Sequence, residues 1–330
     1  MEKCGICDRE SNAFHYGAFC CNACKMFFRR VISYKSPLKA CPFKEDCFDG
    51  PNKKFECRLC RFQKCVTAGM IHNQENITLS STLQQLSQLE FNKRQILEHY
   101  QPLKEITFEE ATDVGPVQFI LKTSGQVFDC PGWERMHQIA TIDYLKKLNF
   151  SRMMTAADLK AFLKSSFMNC AILSLSMHEY SSKFGILQFP GGVDVIPREL
   201  DKILAFKPEL VIGIKCRLIG RLAELQVTNE EFFLLSMIFL CNPAVADISK
   251  SGAVLLSSYQ QLYSNLLLKY CQTTYQHLAP TRFTDLLSLS HVVAKTKQDI
   301  ASIVFLLKFY RPDFEFKEIL KGSSEYLLGN

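Results

Sequence analysis

The stretch CGICDRESNAFHYGAFCCNACKMFFRR (4–30) decides the fold of this chain. Two residues separate Cys4 from Cys7, two separate Cys21 from Cys24, and thirteen lie between the pairs. A second set follows: Cys41 and Cys47 flank five residues, nine more intervene, and Cys57 and Cys60 flank two. Four thiolates close a tetrahedral Zn²⁺ site and leave no position for substrate. The spacing therefore predicts two structural zinc ions, one held by Cys4, Cys7, Cys21 and Cys24, the other by Cys41, Cys47, Cys57 and Cys60. Cys20 competes with its neighbour as a ligand, but only Cys21 satisfies both the thirteen-residue and the two-residue gap. Cys65 falls outside the pattern and is expected to be a packed thiol. A disulfide framework is the other reading of clustered cysteines. MEKCGICDRE (1–10) lacks the apolar run of a secretory signal, which favours metal binding in a reducing compartment.

Charge follows the cysteines. Residues 1–70 hold 13 Lys+Arg against 7 Asp+Glu, whereas the remaining 260 hold 26 of each. All the excess positive charge thus sits on the zinc module, the footprint of a polyanion binder. No stretch reaches the roughly 18 apolar residues that a membrane span requires, so no membrane partner is expected.

Three regions emerge: a zinc module over 1–70, a hinge over 71–100 and a helical domain over 101–330. Residues 71–92 contain no Lys or Arg. Leucines at 79, 83, 86 and 89 predict that this segment turns helical from about Leu79. Beyond it, Leu159, Phe162, Leu163, Phe167, Cys170, Leu173 and Met177 follow helical spacing, with an N-cap region over Thr155–Asp158. Further helices are expected from Glu230 to about Cys241, over 252–277 and over 281–310. FGILQFPGGVDV (184–195) reads as a short hairpin around Gly191-Gly192. The fold class is a small α zinc module with two Cys4 sites, followed by an all-α helical sandwich with one short β-hairpin.

CNACKMFFRRVISY (21–34) can form a helix with Phe27 and Phe28 on its apolar face. Asn22, Lys25, Arg29 and Arg30 then occupy the other. Such a helix fits the major groove of B-DNA, where Asn22 can pair with the N6/N7 edge of adenine and Lys25 can donate to guanine. Arg29 and Arg30 suit phosphates, which supply affinity without sequence information. RLCRFQKCVTAGM (58–70) predicts a second helix whose Phe62 and Cys65 face the two phenylalanines.

These residues bring a family into view. The module resembles the DNA-binding domain of nuclear receptors through its eight cysteines, FHYGA (14–18), CNACKMFFRR (21–30) and CRLCRFQKCVTAGM (57–70). The resemblance implies phosphate contacts by His15, Tyr16, Arg30 and Arg61, and base recognition at Asn22, Lys25 and Met26. The family usually carries Glu-Gly where this chain has Asn22-Ala23, and a small residue at Met26. An amide in place of a carboxylate moves preference from cytosine N4 toward adenine. KKFE (53–56) replaces a more basic family motif. The basic arm that many members extend into the minor groove has no counterpart in 71–92, so the chain is expected to bind as a homo- or heterodimer. In style it is similar to the orphan nuclear receptors expanded in nematodes.

Residues from about 100 onward resemble the family's ligand-binding domain. The matching stretches are YLKKLNFSRM with ADLKAFLKSSF (144–167), TNEEFFLLSMIFLCNP (228–243), APTRFTDLLSLS (279–290) and DFEFKEILKG (313–322). The last occupies the place of the short activation helix, with Glu315 at one of its apolar positions. A lysine at one end of an apolar groove holds a partner helix's last carbonyls, and a glutamate at the other holds its first amides. The resemblance places Lys146 and Glu318 in those roles, with Lys164 at the groove's edge, and implies coactivator or corepressor partners. The stripe Phe162, Phe167, Met168 and Met177 is a candidate wall for a small lipophilic ligand, with a filled core as the alternative.

Together these features imply a nuclear, sequence-specific transcription factor acting on RNA polymerase II promoters. A zinc-based interaction adaptor of LIM or RING type is the alternative, but such modules lack a basic FFRR helix between their sites. Nothing in the sequence assembles a nucleophile–base set, a phosphate loop or an open metal site, so an enzyme is not expected.

Overall fold

The computed structural model describes residues 2–11, 13–33, 38–39, 41–43, 46–48, 53–70, 78–123, 125–183, 185–314, 316 and 318–329. The hinge segment 71–77, Tyr34, Phe184 and Glu315, all invoked above, lie outside them.

The zinc module carries helices α1 (Asn22–Ser33) and α2 (Arg58–Thr67). Two antiparallel pairs of two-residue strands precede α1: Glu2–Lys3 with Glu10–Ser11, and Phe14–His15 with Ala18–Phe19. The second pair turns through Tyr16 (φ 56°) and Gly17 (φ 93°). The expected facing of the two helices is present. The Phe28 and Phe62 rings stack with centroids 5.7 Å apart, and Cys65 is wholly buried beside them.

The leucine-rich segment forms α3 (Leu79–His99), opened by a Thr78–Ser81 capping box. It docks against α5 and α9 rather than standing free. Its Lys93 is buried, donating to Ser174 and paired with Glu90 at 2.8 Å. Then come α4 (Phe108–Thr112), α5 (Cys130–Lys146), α6 (Ala156–Ser181) and α7 (Asp201–Leu204). The chain continues through α8 (Pro208–Glu224), α9 (Asn229–Leu240), α10 (Lys250–Tyr275), α11 (Ala279–Tyr310) and α12 (Glu318–Leu328).

α6 and α9 make the middle of the sandwich. α6 touches α5, α8, α9 and α11, and α9 touches α3, α10 and α11. α9 buries Phe232, Leu234, Leu235, Met237, Ile238 and Leu240, the all-round apolarity of a helix enclosed by others. Phe150, just before α6, is fully buried with its ring 5.3 Å from both Phe162 and Tyr259. Each such ring contributes about 1.5–3 kcal/mol by leaving water. Asp158 in the first turn of α6 accepts hydrogen bonds from the Ser249 amide at 2.7 Å and its hydroxyl at 2.8 Å. That fixes the start of α10, and Gly252 allows the approach: a Cβ there would stand 2.8 Å from Asp158 Cγ.

The expected hairpin is formed by Gln188–Phe189 and Val193–Asp194, with Gly191 and Gly192 in the left-handed region. The helical domain holds another antiparallel pair, Tyr100–Pro102 with Phe119–Leu121, which no sequence pattern announces. Its strands lie on either side of α4, and three residues each give too little alternation for a sequence signal. Among the described residues no helix is long and apolar enough to cross a membrane.

Candidate nucleic-acid interface and ligand cavity

The eight predicted ligands gather into two groups, Cys4–Cys7–Cys21–Cys24 and Cys41–Cys47–Cys57–Cys60, each with all sulfurs within 4.8 Å of one another. Sulfurs bound at about 2.3 Å to a tetrahedral ion stand about 3.8 Å apart. The Cys7–Cys21 and Cys41–Cys47 separations, both 3.6 Å, fit that edge. Burial pushes the thiols of Cys24 and Cys60 up, so a dication is needed to hold them as thiolates. The cofactor is zinc, two ions. Cys20 is buried outside both groups, as its spacing predicts.

The first site fixes the orientation of α1. Lys25 N donates to Cys21 O at 3.0 Å, so the helix begins from the metal loop itself. Cys24, Phe27, Phe28 and Val31 are buried, whereas Asn22, Met26, Arg29 and Arg30 are exposed and Lys25 is half-buried. Positions 22, 25, 26 and 29 fall at i, i+3, i+4 and i+7, one face of an α-helix.

The remaining candidates are placed as follows. His15 ends the strand Phe14–His15 and Tyr16 opens the turn after it, both half-buried, with the Tyr16 ring 5.2 Å from Phe28. His15 Nε2 is enclosed without a hydrogen-bond partner among the described residues. Arg61 lies across the metal site: its Nη2 donates to Cys24 Sγ at 3.4 Å and its guanidinium covers the Phe27 ring at 4.4 Å. A cation donating to a metal-bound thiolate stabilises its charge, a role the sequence did not signal. Lys53, in the unusual KKFE motif, pairs with Asp8 and so ties the second zinc loop to the first.

In the helical domain a cavity of about 430 Å³ opens between α5, α6, the hairpin, α11 and α12. Of the four residues proposed as its wall, only Met168 lines it. Phe162 and Phe167 belong to solid core instead, because α6 is buried on several faces and helical spacing alone does not say which one meets a void. The polar lining comes from Glu134, Arg135, His137 and Gln138 of α5, from Asp129 just before it, and from Glu318, Ser323 and Ser324 of α12. Burial raises the Glu134 carboxyl, whose Oε1 accepts from Gln138 Nε2 at 2.8 Å. Gln138 Oε1 has no partner among the described residues.

Burial also pushes the His137 imidazole down to about 3, against roughly 6.5 in an unfolded chain. The folded value is the lower one, so this stability is complete above about pH 6.5 and drains away as pH falls toward 3. Between pH 7 and 5 the loss from this group is about 2 kcal/mol. Urea unfolding at the two pH values should show it, and His137→Gln should flatten the difference by that amount.

The three candidate coregulator residues are all engaged within the chain. Lys146 donates to Gly115 O at 2.7 Å, Lys164 pairs with Glu109, and Glu318 is held by Arg135 at 2.7 Å while also lining the cavity.

Two closed sulfur sites bracketing an amphipathic basic helix, followed by a helical sandwich around a cavity, define a receptor-like, zinc-dependent DNA-binding class. Residues 2–72 match the double treble clef zinc finger of C4 type, and residues 133–310 match the ligand-binding domain of nuclear hormone receptor. Nuclear hormone receptor family member nhr-27 of Caenorhabditis elegans is 33% identical over 329 residues, covering 99% of this chain and 93% of that relative. Member nhr-9 of the same organism is 34% identical, covering 96% and 94%. Member nhr-167, also from Caenorhabditis elegans, is 32% identical, covering 98% and 97%. The chain belongs to the nuclear hormone receptor family.

Proposed function

We propose that this chain is a nuclear transcription factor that reads duplex DNA with α1 and regulates RNA polymerase II transcription through its helical domain. The observation that carries this is the division of α1, whose core residues are buried and whose Asn22, Met26 and Arg29 are presented to solvent. Asn22, Lys25 and Met26 read bases in the major groove, with Asn22 favouring adenine. Arg29, Arg30 and Arg61, with His15 and Tyr16, hold the phosphates. A dimer, formed with a second copy or another receptor through α11, sets half-site spacing. The cavity accepts a small lipophilic ligand carrying a hydrogen-bond donor for Gln138 Oε1. Its volume lies in the range of small-molecule sites. Lys146, Lys164 and Glu318 border the surface for a coactivator or corepressor helix.

Selection of preferred sites from random duplex DNA tests the reading, followed by titration of the selected site against salt. Three neutralised phosphates per protomer give a slope of log K against log salt of about −2.7. Asn22→Ala should cost about 1–3 kcal/mol at one base pair, whereas Arg29→Ala should weaken all sequences alike. A slope near zero would mean an interaction adaptor rather than a DNA reader.

A further inference from the structure

Residues 105–115 lie along α5 with both ends held. At the start, Glu105 stands 3.6 Å from the Arg135 guanidinium, the same group that holds Glu318 at 2.7 Å. At the finish, the Lys146 ammonium donates to the Gly115 carbonyl at 2.7 Å. Arg135 and Lys146 are eleven residues apart, about 16 Å along the helix axis. The segment therefore spans the surface between Glu318 and Lys146, with its N-terminal end at the glutamate and its C-terminal end at the lysine. That is the polarity in which a glutamate faces the first amides of a docked helix and a lysine its last carbonyls.

What lies between has the form of a docked helix. α4 buries Phe108, Ala111 and Thr112, at i, i+3 and i+4, the spacing of helix-in-groove anchors. The Phe108 ring is 5.0 Å from Phe167 on α6 and 6.1 Å from Tyr326 on α12. Gly322 lets α12 close over it, since a Cβ there would stand 2.7 Å from Phe108 Cβ. On the outer side Glu109 is held by Lys160 and Lys164, and Asp113 by Lys160 at 3.2 Å. Charge and apolar contacts thus agree on one occupant.

We propose that residues 105–115 are an internal occupant of the coregulator surface, which an amphipathic partner helix must displace. This rests on the coregulator reading of that surface. The occupant's anchors are a phenylalanine, an alanine and a threonine. A partner presenting three leucines at the same spacing buries more apolar surface, so the internal segment raises the threshold for docking rather than closing the surface for good.

The test uses the full zinc-loaded chain and a fluorescein-labelled amphipathic peptide with leucines at i, i+3 and i+4, read by anisotropy. Phe108→Ala removes the main anchor. Glu109→Lys, at an exposed position, detaches α4 from Lys160 and Lys164 without touching the core. Each should tighten peptide binding at least ten-fold over the unaltered chain, with DNA binding and helix content unchanged. Adding Lys146→Glu to either should abolish the gain. Equal affinity for all forms overturns the internal occupant and leaves the surface reading standing. Binding to none of them overturns the surface reading, and the occupant with it.

Discussion

Chelating the zinc will unfold residues 1–70 and abolish DNA binding while α3–α12 keep their helical signal. A module this small buries too little apolar surface to fold on its core alone. Each closed site contributes on the order of 10 kcal/mol of folding, far more than the Phe28–Phe62 stack supplies. The ligand assignment makes the prediction sharper. Cys21→Ala should lower bound zinc from two ions to one, measured by atomic absorption. Cys20→Ala should leave two, because its buried thiol stands outside both sulfur groups. The reverse pattern would sink the assignment.

Glu231→Ala should destabilise the helical domain by about 3–5 kcal/mol, the usual result of stripping one partner from a buried ion pair. Glu231 is fully buried at the start of α9 and is gripped by Arg282 of α11, whose Nε donates to Oε1 at 2.7 Å and whose Nη2 donates to Oε2 at 2.5 Å. The same carboxylate accepts the Thr228 amide at 3.0 Å, closing the helix N-terminus. Arg282 also donates to Leu225 O at 2.6 Å, so one guanidinium joins α11 to both the loop after α8 and the first turn of α9. Removing the glutamate leaves that cation partly buried and unpaired. For a domain of this size the melting temperature should fall by roughly 6–20 °C. The pair Glu231→Leu with Arg282→Met should recover most of the loss, since no charge is then left behind. If the single and double changes are equally damaging, packing rather than charge carries the effect.

How legible these features were in the sequence follows from the distance each signal had to cross. The zinc ligands are set by gaps of two to thirteen residues, and the two faces of α1 by helical spacing within one short element. Both could be read directly, as could the span of α9 from about Glu230 and the Gly191-Gly192 turn. Glu318 could be placed only on its own helix. Its partner Arg135 lies 183 residues earlier, and no local pattern announces such a meeting. The cavity escaped for the same reason: its lining joins α5 to the hairpin, α11 and α12, elements that lie far apart along the chain. α4 was missed because five residues hold barely one helical turn, and its anchors gain meaning only beside Phe167 and Tyr326.

The exposed face of α1 has a consequence for how such a protein changes over generations. Asn22 and Met26 lie outside the buried core of the module, so replacing them should shift stability by no more than about 0.5 kcal/mol. The cysteines and phenylalanines one residue away have no such freedom. If α1 reads bases as proposed, a lineage can therefore exchange its target sequences almost without cost to the scaffold, and duplicated copies can part company in what they read before anything else about them differs.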